Sequence, residues 1–181
     1  MPNWVENDLT VSGPKERLEE FKQRVAGDEE PLDAGKIIPY PPVFALLDRL
    51  NSFVGRQAEP TKEDSKLLLE SALQGYDTHK DGYNQGGYEW CRDNWGTKWN
   101  FSEVSGPVLE VRPRVCKLYY SFETAWSPPT PLIRKMGEIF PDLSFKLVYW
   151  EGGAGYQGVF CMRNGRVTKD ENRAYSGSKG G

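Results

Sequence analysis

KLYYSFETAWSPPTPLIRKMGEIFPDLSFKLVYW, from Lys117 to Trp150, decides the fold. Leu118, Tyr120 and Phe122 face one way and Lys117, Tyr119, Ser121 and Glu123 the other, the period of two that belongs to a half-buried strand. At Ser127 the period changes. Ser127 is placed to cap a helix whose first turn tolerates Pro128 and Pro129, and Leu132, Ile133, Met136, Ile139 and Phe140 then build a wide apolar stripe. Pro141 ends that helix, and Leu143, Phe145, Leu147 and Tyr149 mark a second strand.

Outward from this strand-helix-strand unit, the same two periods recur. Towards the C-terminus, Gly152-Gly153 makes a turn and Tyr156 to Met162 a further strand, which reaches Asn164-Gly165, the preferred pair of a type I′ hairpin. The residues from about Lys169 are polar and end Ser-Gly-Ser-Lys-Gly-Gly, so 169–181 is expected to be a flexible tail. At the other end, Val5, Asn7, Leu9 and Val11 alternate with Trp4, Glu6, Asp8 and Thr10, which predicts a strand. Ser12-Gly13-Pro14 follows as a helix start, and Leu18, Phe21 and Val25 give an amphipathic helix ending near Gly27.

The stretch from about 28 to 100 has another character. Acids and prolines come first, then Val43 to Leu50, then helix formers from Thr61 to Leu73, then a turn-rich segment from Tyr76 to Gly87. Tyr88, Cys91 and Trp95 recur at helical spacing and stop at Gly96. This predicts a mainly helical insertion after the first helix. The expected architecture is α+β: a ferredoxin-like β-α-β-β-α-β antiparallel sheet with two helices on one face, in a single domain over 1–168.

Composition narrows the function classes. With 181 residues, Lys+Arg 23 against Asp+Glu 26 and a net charge of -3, the chain lacks the strongly basic footprint of most nucleic-acid or anionic-membrane binders. No apolar run approaches the roughly 20 residues that span a bilayer, and the start Met-Pro-Asn-Trp has no signal-peptide character, so a cytoplasmic location is expected. Cys91, Cys116 and Cys161 form no C-x-x-C pair, which argues against a disulfide framework or a zinc knuckle and for reduced thiols.

Three blocks carry a resemblance: Met1 to Trp4 with Asn7 to Gly13, then Asn94-Trp95-Gly96-Thr97-Lys98-Trp99-Asn100, then Phe122 to Pro129. Together, in this order, they resemble the YubB-like ferredoxin-like family of phage and plasmid proteins. The resemblance implies a ferredoxin-like fold and a mobile-element origin. It implies no particular activity.

The candidate site is aromatic. Trp95 and Trp99 lie four residues apart with Lys98 between them, and Trp126 stands directly before the Ser-Pro-Pro helix start; such a cluster can stack a planar ligand or anchor a partner. The competing structural reading makes them core or lid residues, with Trp95 structural and Trp99 and Trp126 nearer the surface. Asp77, His79 and Asp81 are spaced as metal ligands on an extended segment, a spacing common in polar loops, and no metal or other cofactor is expected. Gly155 to Phe160 resembles the glycine-aromatic strand of RNA-stacking domains but follows the wrong helix. His79 is the sole imidazole and lies in the turn-rich segment, so no catalytic residue is assigned.

The sequence therefore predicts a binding or inhibitory module without enzymatic activity, acting on a host protein such as a defence factor. The second reading is a nucleic-acid or nucleotide binder using the aromatic sheet or insertion; the third is a metal-dependent hydrolase.

Overall fold

The structure, a computed structural model, describes residues 3–51, 60–76 and 87–177. Six strands, β1 (Trp4–Gly13), β2 (Ser102–Glu110), β3 (Cys116–Ala125), β4 (Ser144–Glu151), β5 (Tyr156–Arg163) and β6 (Arg166–Ala174), form one antiparallel sheet in the order β2-β3-β1-β4-β5-β6. The first four make the ferredoxin-like arrangement, and the hairpin β5-β6 widens it beyond β4. Helices α1 (Lys15–Val25) and α6 (Thr130–Ile139) are the two crossovers.

Alternation in the strands decides what each face does. Val5, Leu9 and Val11 of β1, Leu118, Tyr120 and Phe122 of β3, and Phe145 and Leu147 of β4 are buried together with Leu18 and Phe21 of α1 and Leu132, Ile133 and Met136 of α6. Phe21 stands edge-on to Tyr120, Phe140 and Phe145 at centroid distances of 6.4, 5.4 and 5.6 Å. Each buried side chain of this size contributes about 1.5–3 kcal/mol. The opposite face presents Glu6, Asp8, Thr10, Tyr119, Ser121, Glu123, Lys146 and Val148, none of them buried.

Several local expectations change. Ser12 and Gly13 are the end of β1, and neither α1 nor α6 has a side-chain cap: Pro14 and Pro129 stand at their N-caps. Ser127 donates instead to the carbonyl of Gly96 at 2.5 Å, so its hydroxyl serves a loop-to-loop contact. Residues 169–174, expected in the tail, run on in β6, because Lys169 to Ala174 pair with Cys161 to Tyr156 along the β5 ladder. Backbone pairing overrides the polar composition there, as it can on an edge strand with one solvated side. β2, which alternation did not reveal, pairs with β3 through two register shifts that blur its pattern.

Among the described residues between α1 and β2 lie α2 (Ala34–Ile37), α3 (Pro42–Asn51), α4 (Lys62–Leu73) and α5 (Tyr88–Asn94), so the described part of this stretch is mainly helical, as read. Thr61 and Asp64 close a capping box on α4. The insertion is not a separate body at its root. Leu32, Ala34 and Ile37 belong to the main core, as do Cys91 and Trp95.

Candidate functional site

Two loops meet at the end of the sheet where β1 starts and β3 stops. The first follows α5, which ends because Gly96 takes a left-handed φ of +78° and its N–H turns back to the carbonyls of Cys91 and Arg92, both at 3.1 Å. A Cβ at Gly96 would stand 2.5 Å from Pro131 Cδ, so only glycine permits this approach. The second loop leaves β3 at Ala125.

A chain of buried and part-buried polar contacts joins them. Asn7 Nδ2 donates to Thr124 Oγ1 at 2.9 Å, Thr124 Oγ1 donates to the Ser127 carbonyl at 2.9 Å, and Ser127 reaches Gly96. Thr97 Oγ1 donates to the Ala125 carbonyl at 3.1 Å. Asn7, Thr97 and Thr124 are buried, and in a low-dielectric setting each such bond is costly to break, which gives the two loops one fixed relation.

That relation assembles an aromatic site. Lys98 Nζ lies 4.9 Å from the Tyr88 ring centroid, 4.7 Å from Trp99 and 4.9 Å from Trp126. Trp4 extends the group, its ring 6.2 Å from that of Trp99, and Tyr88 stands edge-on to Trp126 at 6.2 Å. Trp4, Trp99 and Trp126 are 36%, 44% and 51% exposed. Among the described residues no carboxylate is within ion-pair distance of Lys98, so its ammonium is held by ring faces.

Trp126 is unusual in its backbone as well. Its φ is +73°, a left-handed value that costs a residue with a bulky Cβ substituent about 1–3 kcal/mol. Two contacts hold it there: its N–H donates to the Asn3 carbonyl at 2.9 Å, and its carbonyl accepts from the Tyr156 hydroxyl at 3.0 Å. Burial pushes the Tyr156 phenol up to about 12, aided by Glu151 and Tyr149, so it stays a proton donor at neutral pH.

Trp95 stands apart from the three residues expected beside it. It is buried, its Nε1 donates to the Ile38 carbonyl at 2.9 Å, and its ring packs on Tyr40 and Trp90 at 5.4 and 5.6 Å. A surface partner has no access to it. Trp4 and Tyr88 are the members that sequence reasoning missed. Trp4 was legible as an outward strand residue, whereas Tyr88 was counted with the apolar face of its helix.

The other candidate groups are placed as follows. Asp77, His79 and Asp81 lie outside the described residues, and among the described residues no group of three His, Cys, Asp or Glu is placed to hold a metal. Phe160 faces the core and is fully buried, with the Arg134 guanidinium 5.5 Å from its ring, so it cannot stack a base. All three cysteines are free, and burial pushes the Cys91 thiol up to about 12, which keeps it a packing group.

Comparison with known proteins bears on the scaffold. Residues 94–178 match a family model described as the ferredoxin-like domain in Api92-like protein. The crystal structure of a protein api92 from Yersinia pseudotuberculosis superposes with a TM-score of 0.53 at 11% sequence identity, covering 99% of this chain and 100% of that one. Comparison with curated proteins gives no match. The ferredoxin-like fold is thus shown, and so is the similarity of the C-terminal part to Api92-like proteins. No helix among the described residues is long and apolar enough to cross a membrane.

Proposed function

We propose that this chain is a non-enzymatic binding module and that the surface formed by Trp4, Tyr88, Trp99 and Trp126 around Lys98 is where it holds a partner protein. One observation carries the reading: three partly exposed tryptophans converge on one patch although a buried aromatic cluster lies nearby to receive such side chains. Exposed aromatic patches of this kind are typical of interaction sites, where tryptophan dominates binding energy. The strained Trp126 supports it, since residues kept in costly conformations concentrate at functional positions.

A mobile-element origin and a host protein as partner, for instance a defence factor, are part of this proposal. They rest on the three blocks that resemble YubB-like phage and plasmid proteins, each of which contributes to the patch: Trp4 from the first, Lys98 and Trp99 from 94–100, and Trp126 from 122–129. Nucleic acid fits less well: the open sheet face carries Glu6, Asp8 and Glu123, which repel phosphate.

The test is affinity capture from host lysate with quantitative mass spectrometry, comparing the parent with Trp99→Ala and Trp126→Ala. A partner retained by the parent and lost by both variants at parental melting temperature is the expected result. Equal capture by all three removes the patch from the proposal.

A further inference from the structure

The chemistry of the patch goes further than its exposure, because one occupant is already visible. The Lys98 ammonium is within 5 Å of three ring centroids, and three faces around one cation form an aromatic cage. Lys98 is nevertheless a poor tenant. A primary ammonium is strongly hydrated and has three N–H donors, whereas ring faces offer no lone pair to accept them. An exposed cation–π contact is worth only about 0.5–1 kcal/mol, and the lysine stem is flexible, so Lys98 can swing out at small cost. A methylated ammonium keeps the positive charge, gives up the N–H donors and covers the nitrogen with methyl groups that pack on indole. It therefore gains the same electrostatic attraction while losing less hydration.

We propose that Tyr88, Trp99 and Trp126 form a recognition cage for a methylated lysine side chain of a partner protein, and that Lys98 is its built-in competitor in the free state. The proposal deepens the protein-binding reading above and rests on it for the source of the cation. The cage is preorganised from outside itself. Thr97 and Ser127 fix one loop against the other, and the clamps from Asn3 and Tyr156 keep Trp126 in its left-handed turn, so its indole is aimed before any ligand arrives. Preorganisation of this type lowers the ordering cost of binding.

The experiment opens the cage with Lys98→Ala, and with Lys98→Gln as a second variant, after checking that both melt with the parent. Each is titrated by tryptophan fluorescence with a trimethyllysine peptide, the same peptide unmethylated, and the same peptide carrying the neutral carbon isostere of trimethyllysine. Saturable binding of the trimethyllysine peptide, about two- to fivefold tighter in the opened variants than in the parent and at least tenfold tighter than either control peptide, is expected. It should disappear in Lys98→Ala combined with Trp126→Ala. No saturation up to about 10 mM, the weak end of measurable affinity, overturns the proposal, and so does equal binding of the neutral isostere. Binding to phosphatidylcholine vesicles in place of the peptide overturns the assignment to a protein side chain. If the cage fails while Trp126→Ala still loses the captured partner, the protein-binding reading stands alone. If the cage binds while capture is unaffected, the cage stands and that reading falls.

Discussion

Two aromatic clusters sit within a few residues of each other and have opposite designs. The inner one, Tyr40, Phe44, Trp90 and Trp95, is tied by hydrogen bonds: Trp95 donates to Ile38, and Tyr40 donates to Asp48 at 3.0 Å and accepts from the Gly87 N–H at 2.7 Å. The Trp95 indole N–H and the Tyr40 hydroxyl are thus satisfied within the protein. The outer one has half-exposed rings and a cation with no carboxylate partner among the described residues. Residue type is the same in both. What differs is whether the ring's second face meets protein or water, and only an unmet face is available to a ligand.

The largest expected effect separates the clusters by stability. Trp95→Ala should cost about 3–5 kcal/mol, since it empties a buried indole site and strands the Ile38 carbonyl. Urea denaturation monitored by far-UV circular dichroism measures it. A similar loss for Trp99→Ala would make the outer cluster core in all but exposure and erase the distinction.

Next comes the polar network beneath the outer rings. Asn7→Ala removes two donated hydrogen bonds, to Val5 and Thr124, and should cost about 1–3 kcal/mol. Because the network aligns the two loops, the variant should also weaken partner capture, whereas an equally destabilising change in α1 should leave capture intact. Loss of stability without loss of capture would uncouple network from site.

Trp126→Gly sharpens the comparison from the other side. Glycine adopts a φ of +73° freely, so relief of backbone strain offsets the lost ring contacts and the melting curve should move by no more than about 1 kcal/mol. Capture should nevertheless be lost. A loss of stability near that of Trp95→Ala would show that the ring was structural.

The smallest effect is on the open sheet face, two residues along β1 from Trp4. Glu6 and Glu123 are directly opposed on β1 and β3, and burial, with Glu103 and Glu6 adding repulsion, holds the Glu123 carboxyl above its ordinary value. A raised acid is penalised only once ionised: the cost is absent below the ordinary glutamate value, where folded and unfolded states are both protonated, and complete above the raised one. Glu123→Gln should therefore stabilise at neutral pH by about 0.2–1 kcal/mol, fading as pH falls through that window. A gain that persists at low pH would assign the effect to packing.

Legibility follows the range of the interactions. The strand at Leu118 to Phe122, the stripe from Leu132 to Phe140 and the helix formers from Thr61 to Leu73 were readable because alternation, stripe and propensity are local. β6 was not, since its polar residues form a strand only by pairing with β5. Ser127 was misread because its nearest use in sequence, a helix cap, loses to a carbonyl brought from Gly96 across the fold. In the candidate site, Trp95, Lys98, Trp99 and Trp126 were named together from sequence, with Trp95 read as the structural member and Trp99 and Trp126 as nearer the surface, which is how their burial falls.

By itself the sequence determined the ferredoxin-like order of elements, the helical character of the insertion and the short list of aromatic residues, because hydrophobic period and turn chemistry act over a few neighbouring residues. Only the tertiary structure decided which tryptophan is covered and which is not. Trp95 and Trp99 are four residues apart, but the left-handed turn at Gly96 sends one under the insertion and the other to the rim where β1 and β3 end. Burial is a property of what packs against a side chain, and for these two residues that material comes from Ile38 and Tyr40 in one case and from Trp4 in the other.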